Sequence, residues 1–514
     1  MSMNKRVFFP IFIIALVSCS TLQNENELLT YSSTKKECIY PNEFTEGKAL
    51  LESGIRSKVK FLGEPENLAS ISSKMSEQKI PALSLAIIKG GRIEWTEIYQ
   101  NKSFTKQPSL KCTSLFQAAS LSKPVTFLAA VRMHSAGKID FDTDIQQYLK
   151  KFELPVGKQT IENPVTFRNI FSHTSGITPG GYEGYIQGQE LPSDLDILKG
   201  SSGANSPPIA VVMPPNENLA YSGGAYTLAE LALQDIYKSE FSVIMRDWIL
   251  DPIGMEHSDF SQPLPSSMYA QVAKGYKHSG EVLDGGWRNQ PEQAAAGLWS
   301  NAVDMAKFLI EIYKAYQGKS SLFSQSEIKE LISHQRDGHV YGFRVEQHAD
   351  DISITHYGGT AGYRSGMTIS LTSGNGLVYL MNSDNGIALG NELLLTASQI
   401  YNWHSFKQTT AYRKQVDAQT LRDLTGKYKW NKQIELSVGF DEDRKQVSLF
   451  FPNGDEYKLD PIVGDELEFI HQNSGIKVSF MKDDDIQSFS LYGQPAVKLE
   501  AKKPIQPTAR ASTD

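Results

Sequence analysis

The stretch Phe116-Gln-Ala-Ala-Ser-Leu-Ser-Lys-Pro-Val125 decides how the rest of this 514-residue chain is read. Residues 125–133 are mostly apolar and Gly137 follows them. That pattern predicts a largely buried helix of about 17 residues with a glycine stop. Pro124 fits its first turn, where backbone N–H groups have no intrahelical acceptor. Ser120 then stands at the helix start, and Lys123, three residues on, shares its face. A hydroxyl there meets the positive end of the helix dipole. A buried ammonium beside it can lose its proton and serve as base. Ser-x-x-Lys alone decides nothing, because a helix cap followed by a lysine reaching for solvent spells the same pattern.

Upstream, residues 65–75 read as a helix. Residues 80–99 follow as two apolar runs around Gly90-Gly91, a strong hairpin signal. Downstream, residues 165–176 read as a short helix running into a polar loop, in which His173 braces Thr174 and Ser175. Residues 179–215 are crowded with Gly, Pro, Ser and Asn, and we read them as one wall of a cleft. They end at Tyr221-Ser-Gly-Gly-Ala-Tyr226, a turn opening a helix over residues 227–237. Ser300 reads as the cap of an amphipathic helix. Residues 352–365 begin as a strand and continue through glycines, with further strands at 366–371 and 377–381 and a helix at 388–402. Strands at both ends with helices between imply one α+β sheet closed by both termini. Beyond residue 420, short alternating runs at 434–438, 447–451, 467–470, 476–480 and 489–491 argue a small antiparallel barrel or sandwich.

A hydrophobic content of 40% supports a large core and more than one domain. The net charge of −7, with both signs interspersed, argues against a nucleic-acid partner. No Cys-x-x-Cys or His-Glu-x-x-His pattern occurs, so no metal site and no cofactor are expected. At the N-terminus, Lys5 and Arg6 precede an apolar run over residues 7–17 that is too short to span a bilayer. It ends in Leu16-Val-Ser-Cys19, which resembles the bacterial lipobox. That resemblance implies cleavage before Cys19, lipidation of its thiol and anchoring to a membrane facing the periplasm or cell exterior. Cys38 and Cys112 remain, and in an exported chain they either pair or stay as separate buried thiols. The expected organisation is a signal peptide over 1–18, a polar tether over 19–45 and a catalytic domain over 46–405. A linker over 406–420, a β domain over 421–503 and a tail over 504–514 complete it.

Ser120-x-x-Lys123, Tyr221-Ser-Gly223 and His356-Tyr-Gly358 together resemble the three active-site elements of the penicillin-recognising serine hydrolases. The branch is that of class C β-lactamases, DD-peptidases and related esterases. Ser172-His-Thr-Ser-Gly176, Gly297-Leu-Trp-Ser300 and Met381-Asn-Ser-Asp384 are similar to its framework segments. The resemblance implies an antiparallel sheet flanked by helices plus an all-helical subdomain. It implies Ser120 as nucleophile, Lys123 and Tyr221 as shared base, and the N–H groups of Ser120 and Gly359 as oxyanion hole. His356, Gly358, Ser222 and Gly223 would then contact a small-molecule or peptidoglycan-like substrate. Two departures bear on that substrate. Gly223 replaces the usual asparagine, whose amide would hold a substrate acylamide, and His356 replaces a permanently charged lysine. An esterase, D-aminopeptidase or carboxypeptidase-like hydrolase is accordingly expected over an efficient β-lactamase. The competing reading is a penicillin-binding sensor with little turnover, against which the complete Ser120, Lys123 and Tyr221 set argues. For the anchor, Cys19→Ser is expected to release the protein into the soluble fraction, and a wild-type protein found wholly soluble after osmotic shock would refute lipidation.

Overall fold

The computed structural model describes residues 38–39 and 46–499, apart from 106, 202, 334–338, 349, 404, 431–433, 453, 455 and 484. The segment expected to be a signal peptide, Cys19, most of the expected tether and the expected tail therefore lie outside the described residues. The glycine pair at 90 and 91 makes the hairpin its spelling implies. Strands β1 (Ala82–Lys89) and β2 (Arg92–Gln100) flank it, and both glycines have positive φ, +56° and +72°. That is the twist a two-residue hairpin turn needs.

Five further strands complete the main sheet: β3 (His339–Val340), β4 (Phe343–His348), β5 (Asp351–Thr360), β6 (Tyr363–Ser370) and β7 (Gly376–Met381). Their order is β3-β4-β5-β6-β7-β1-β2, so the last strand of the domain pairs with its first hairpin. The sheet is buried on both faces. Along β1, Ala82, Ala86 and Ile88 enter one core while Leu83, Leu85 and Ile87 enter the other. Such a strand reads as one continuous apolar run rather than an alternating one. The first face is covered by helices α1 (Ser122–Ser135), α2 (Gly223–Tyr237) and α3 (Ala302–Tyr316), and the second by α4 (Gly386–Ile400).

Several boundaries differ from the sequence reading, each for a local reason. The helix expected at 65–75 is Ile71–Glu77, because the Ser70 side chain accepts the Ser73 N–H and starts it there. Ser300 is not the cap of α3. Asn301 is, accepting the Asp304 N–H, while the buried Ser300 hydroxyl lies 2.8 Å from that of Ser258. The glycine- and proline-rich wall contains a helix, Asp194–Lys199, closed by a Ser193/Asp196 capping box. Strands β3 and β4 were not anticipated.

The C-terminal domain is a closed eight-stranded antiparallel barrel running from Gly426–Trp430 to Gln494–Lys498. Three of its strands escaped the sequence reading: Gly426–Trp430, Glu456–Ile462 and Gln494–Lys498. Each buries only one or two residues among lysines, glutamates or proline. Nor is the stretch 406–420 a free linker. Strand Thr409–Ala411 pairs in parallel with Val59–Phe61, and Val59 and Phe61 pack on Ile462 and Ile470 of the barrel. Arg413 stacks 3.8 Å from the Phe61 ring centroid and pairs with Glu64 and Asp460. Cys38 and Cys112 are joined as a disulfide across 74 positions, fastening the segment before the domain to the loop that precedes β-paired Phe116.

Candidate active site

Ser120 does not lie in α1 itself but in a tight turn, Ala119–Leu121, that leads into it. Ala119 has φ +53°, a left-handed conformation that costs a non-glycine residue on the order of 1–3 kcal/mol. The neighbours explain why the strain persists. Ala118 donates its N–H to Leu298 O at 2.9 Å, and its own carbonyl accepts the Ser365 hydroxyl at 2.8 Å. Gly358 of β5 presses on the same turn: a Cβ there would come 2.5 Å from Ala118 O and 3.2 Å from Ala119 Cβ. Gly359, one residue further and exposed, thus follows the point where strand and nucleophile turn touch.

The two serines of the motif are unlike. Ser122 is wholly buried, donates to Ala119 O at 2.6 Å and accepts the Leu298 N–H at 3.0 Å. It is a brace. The Ser120 hydroxyl instead accepts from Lys123 Nζ at 3.3 Å. Lys123 is only 2% exposed. Its ammonium also donates to Ala295 O at 2.7 Å and lies 4.8 Å from the Tyr221 ring centroid and 5.6 Å from that of Tyr226. A carbonyl and two aromatic faces thereby offset the desolvation of a buried cation.

Tyr221 immediately precedes α2, whose N-cap is Ser222, its hydroxyl accepting the Ala225 N–H at 2.9 Å. His173 sets this junction. It accepts the Ser222 N–H on Nδ1 at 3.2 Å and the Ala220 N–H on its carbonyl at 2.7 Å. It does brace the loop, but its ring also lies 4.3 Å from that of Tyr221 and lines the cleft, which the sequence reading missed. His356 lines it too. A cavity of about 170 Å³ is bounded by His173, Tyr221, Phe343, Arg344, His356 and Tyr357. Burial pushes the Tyr357 hydroxyl up to about 12, with Glu346 adding to the rise and Arg344 opposing it. Phe343 and Arg344 stand on β4, the strand not anticipated, so no signal flagged them.

Gly223, where an asparagine would be usual, has a structural counterpart. A Cβ at that position would sit 3.1 Å from Tyr182 Cε2 and 3.2 Å from Gly180 O. The Gly223 N–H donates to that same Gly180 carbonyl at 2.9 Å, and the Tyr182 hydroxyl lies 3.1 Å from Thr227 Oγ1 on α2. Tyr182 therefore fills the space into which a side chain from 223 would grow. The start of the segment 179–215 thus packs on the site as a wall.

Among the described residues, no group of three or more His, Cys, Asp or Glu side chains is arranged to hold a metal ion.

Comparison with known proteins adds to this geometry. The family model described as Beta-lactamase matches residues 68–398. Protein flp of Staphylococcus aureus (strain MRSA252) is 20% identical over 319 residues, a match spanning 61% of this chain and 61% of that protein's length. Penicillin-binding protein 4* of Bacillus subtilis (strain 168) is 20% identical over 430 residues, 79% of this chain and 91% of that one. Among solved structures, the octameric penicillin-binding protein homologue from Pyrococcus abyssi is similar, with a TM-score of 0.54, 20% identity and coverage of 83% of this chain and 98% of that one. The D-amino acid amidase from Ochrobactrum anthropi SV3 complexed with L-phenylalanine gives 0.50 and 19%, over 64% and 96%. These likenesses speak for the fold.

The contact between Tyr182 and Gly223 generates a test. Gly223→Asn alone is expected to cost about 1–3 kcal/mol through overpacking. In combination with Tyr182→Ala it should cost less than the sum of the two single changes. Thermal melts of the three variants measure the coupling, and strict additivity would remove Tyr182 from the argument.

Proposed function

Since the chain belongs to the beta-lactamase family of serine hydrolases, we propose that it cleaves an ester, amide or peptide bond through a covalent acyl-enzyme on Ser120. One observation carries the reading: the buried Lys123 ammonium lies 3.3 Å from the Ser120 hydroxyl, whereas Ser122 is committed to two framework hydrogen bonds. In the proposed cycle Ser120 Oγ attacks the substrate carbonyl carbon. Its proton passes to the Lys123 and Tyr221 pair, which needs one neutral amine or phenolate to receive it. The N–H groups of Ser120 and Gly359 would stabilise the oxyanion. Collapse expels the alcohol or amine, which takes the proton, and water then repeats the sequence to free Ser120.

Two features favour neutral acyl substrates. Tyr182 occupies the place from which a side-chain amide would hold an acylamide. His356 supplies no permanent charge for a substrate carboxylate. Losing a charge-assisted hydrogen bond costs on the order of 1.5–3 kcal/mol, roughly ten- to a hundredfold in kcat/KM.

Ser120→Ala is expected to abolish both hydrolysis and labelling by a fluorophosphonate probe. Ser122→Ala should still label at Ser120, though less stable by about 1–3 kcal/mol because the buried Leu298 N–H loses its acceptor. Probe adducts mapped to Ser122 would overturn the assignment. A neutral p-nitrophenyl ester should be turned over far better than nitrocefin, and His356→Lys should narrow that gap. A wild-type enzyme that hydrolyses nitrocefin as well as its best ester would sink the substrate argument.

A further inference from the structure

The interior behind Lys123 contains a carboxyl that the reaction as described does not use. Glu230 stands in the middle of α2, nine residues after Tyr221, and is wholly buried. Its Oε2 accepts the N–H of Ala294 at 2.8 Å. Ala294 belongs to a single helical turn, Gln293–Ala296. The next carbonyl of that turn, Ala295 O, is the one that holds Lys123 Nζ at 2.7 Å, and the carbonyl of Ala294 itself accepts from Thr126 of α1 at 3.4 Å. One carboxyl on α2 thus holds the backbone segment on which the base rests. The same helix opens directly after Tyr221. Glu230 consequently couples the helix that opens after Tyr221 to the Lys123 anchor through the backbone of residues 294–295.

We propose that Glu230 is a positioning residue: by accepting the Ala294 N–H it fixes the turn whose Ala295 carbonyl holds Lys123 beside Ser120. The inference rests on the reading of Lys123 as base.

Glu230 does this from a wholly buried position. Burial raises its carboxyl well above the usual range, with Asp194 and Glu292 adding to the rise and the Ala294 and Gln293 N–H groups opposing it. Glu292, the residue just before the turn, is itself pushed up to about 8 by burial, with Asp194 reinforcing it. Besides Asp194, the Tyr182 phenol faces both acids and the Tyr185 phenol faces Glu292, and burial raises both phenols too. What the Ala294 N–H requires of Glu230 is an acceptor oxygen rather than a charge. A glutamine supplies the same oxygen in nearly the same shape.

The test compares Glu230→Gln with Glu230→Met, which fills the space but offers no acceptor of comparable strength. The readouts are the second-order rate of fluorophosphonate labelling at Ser120 and the kcat and KM for a neutral p-nitrophenyl ester. Glu230→Gln should keep most of the wild-type rate. Glu230→Met should lose roughly tenfold to a hundredfold in labelling rate and in kcat, with KM nearly unchanged, because displacing a base by about 1 Å can cost that much. A thermal melt confirms that each variant is folded. Should Glu230→Met not fold, Glu230→Asp, which withdraws the acceptor by one methylene, takes its place and must be slower than Glu230→Gln. A folded Met or Asp variant as fast as the Gln variant overturns the proposal. So does a folded Gln variant as slow as the Met or Asp variant, since that would demand an ionisable carboxyl. Lys123→Ala is run alongside: if it labels at the wild-type rate, the base assignment fails, and that failure is distinct from a failure at Glu230.

Discussion

The contact on which the site depends is the one between Gly358 and the turn that carries Ser120. Strand β5 comes so close to Ala118 and Ala119 that no side chain fits between them. That proximity joins the central sheet to the head of α1 at the residue before Ser120. It also sustains the left-handed Ala119, which an isolated chain would abandon. Hydrogen bonds to Ser365 on β6 and Leu298 in the following framework turn restrain the same peptide from two more sides. Strain held this way cannot relax without parting strand from helix, so Ser120, proposed as nucleophile, is held in one orientation.

A buried lysine poses the opposite problem. Its ammonium must be stable enough to keep, yet not so stabilised that it never yields a proton. A full salt bridge would hold the charge too firmly and, if one partner were lost, leave an uncompensated ion in the interior. Here the cation is met by a single carbonyl, a hydroxyl and two ring faces, all neutral groups. The buried acid Glu230 is linked to the lysine through the backbone of residues 294–295.

Much of this was legible in the sequence, and the unreadable part has a physical pattern. The Gly90-Gly91 hairpin, the long apolar helix after Ser120 and the glycine-bearing strand at 356–359 are fixed by local chemistry: φ > 0 at a tight turn, period and burial. Their residues announce them. Ser300 and Asn301 were confused because either can cap a helix, and only the burial of Ser300 against Ser258 separates the two. Strand β4 and three barrel strands were missed because one face of each is polar and short, so neither alternation nor an apolar run stands out. Arg344 and Phe343 went with β4. Tyr182 and Glu230 were invisible for a different reason. Each acts through a long-range contact, to Gly223 in one case and to Ala294 in the other, and no local spacing encodes such a meeting.

These long-range contacts divide the site into two parts that answer to different constraints. The part proposed to do the chemistry lies on the turn before α1, the start of α2 and β5, and the turn and β5 meet in a contact too tight to admit a methyl group. The recognition part lies on the segment that begins at Gly180 and on β4, joined to the first by the Tyr182 ring over Gly223 and by the cavity that Arg344 and Tyr357 share with Tyr221. A change in the second part need not disturb the first. Gly223 illustrates how that works. Removing a side chain from the second motif leaves a gap beside Tyr221, and a gap costs contacts on every wall. Tyr182 closes it from the neighbouring loop, keeping the helix start packed while exchanging a polar amide for an aromatic ring. The hydrolytic machinery can thus remain intact while the surface it offers to an acyl group becomes less polar, which is the direction in which His356 also moves it.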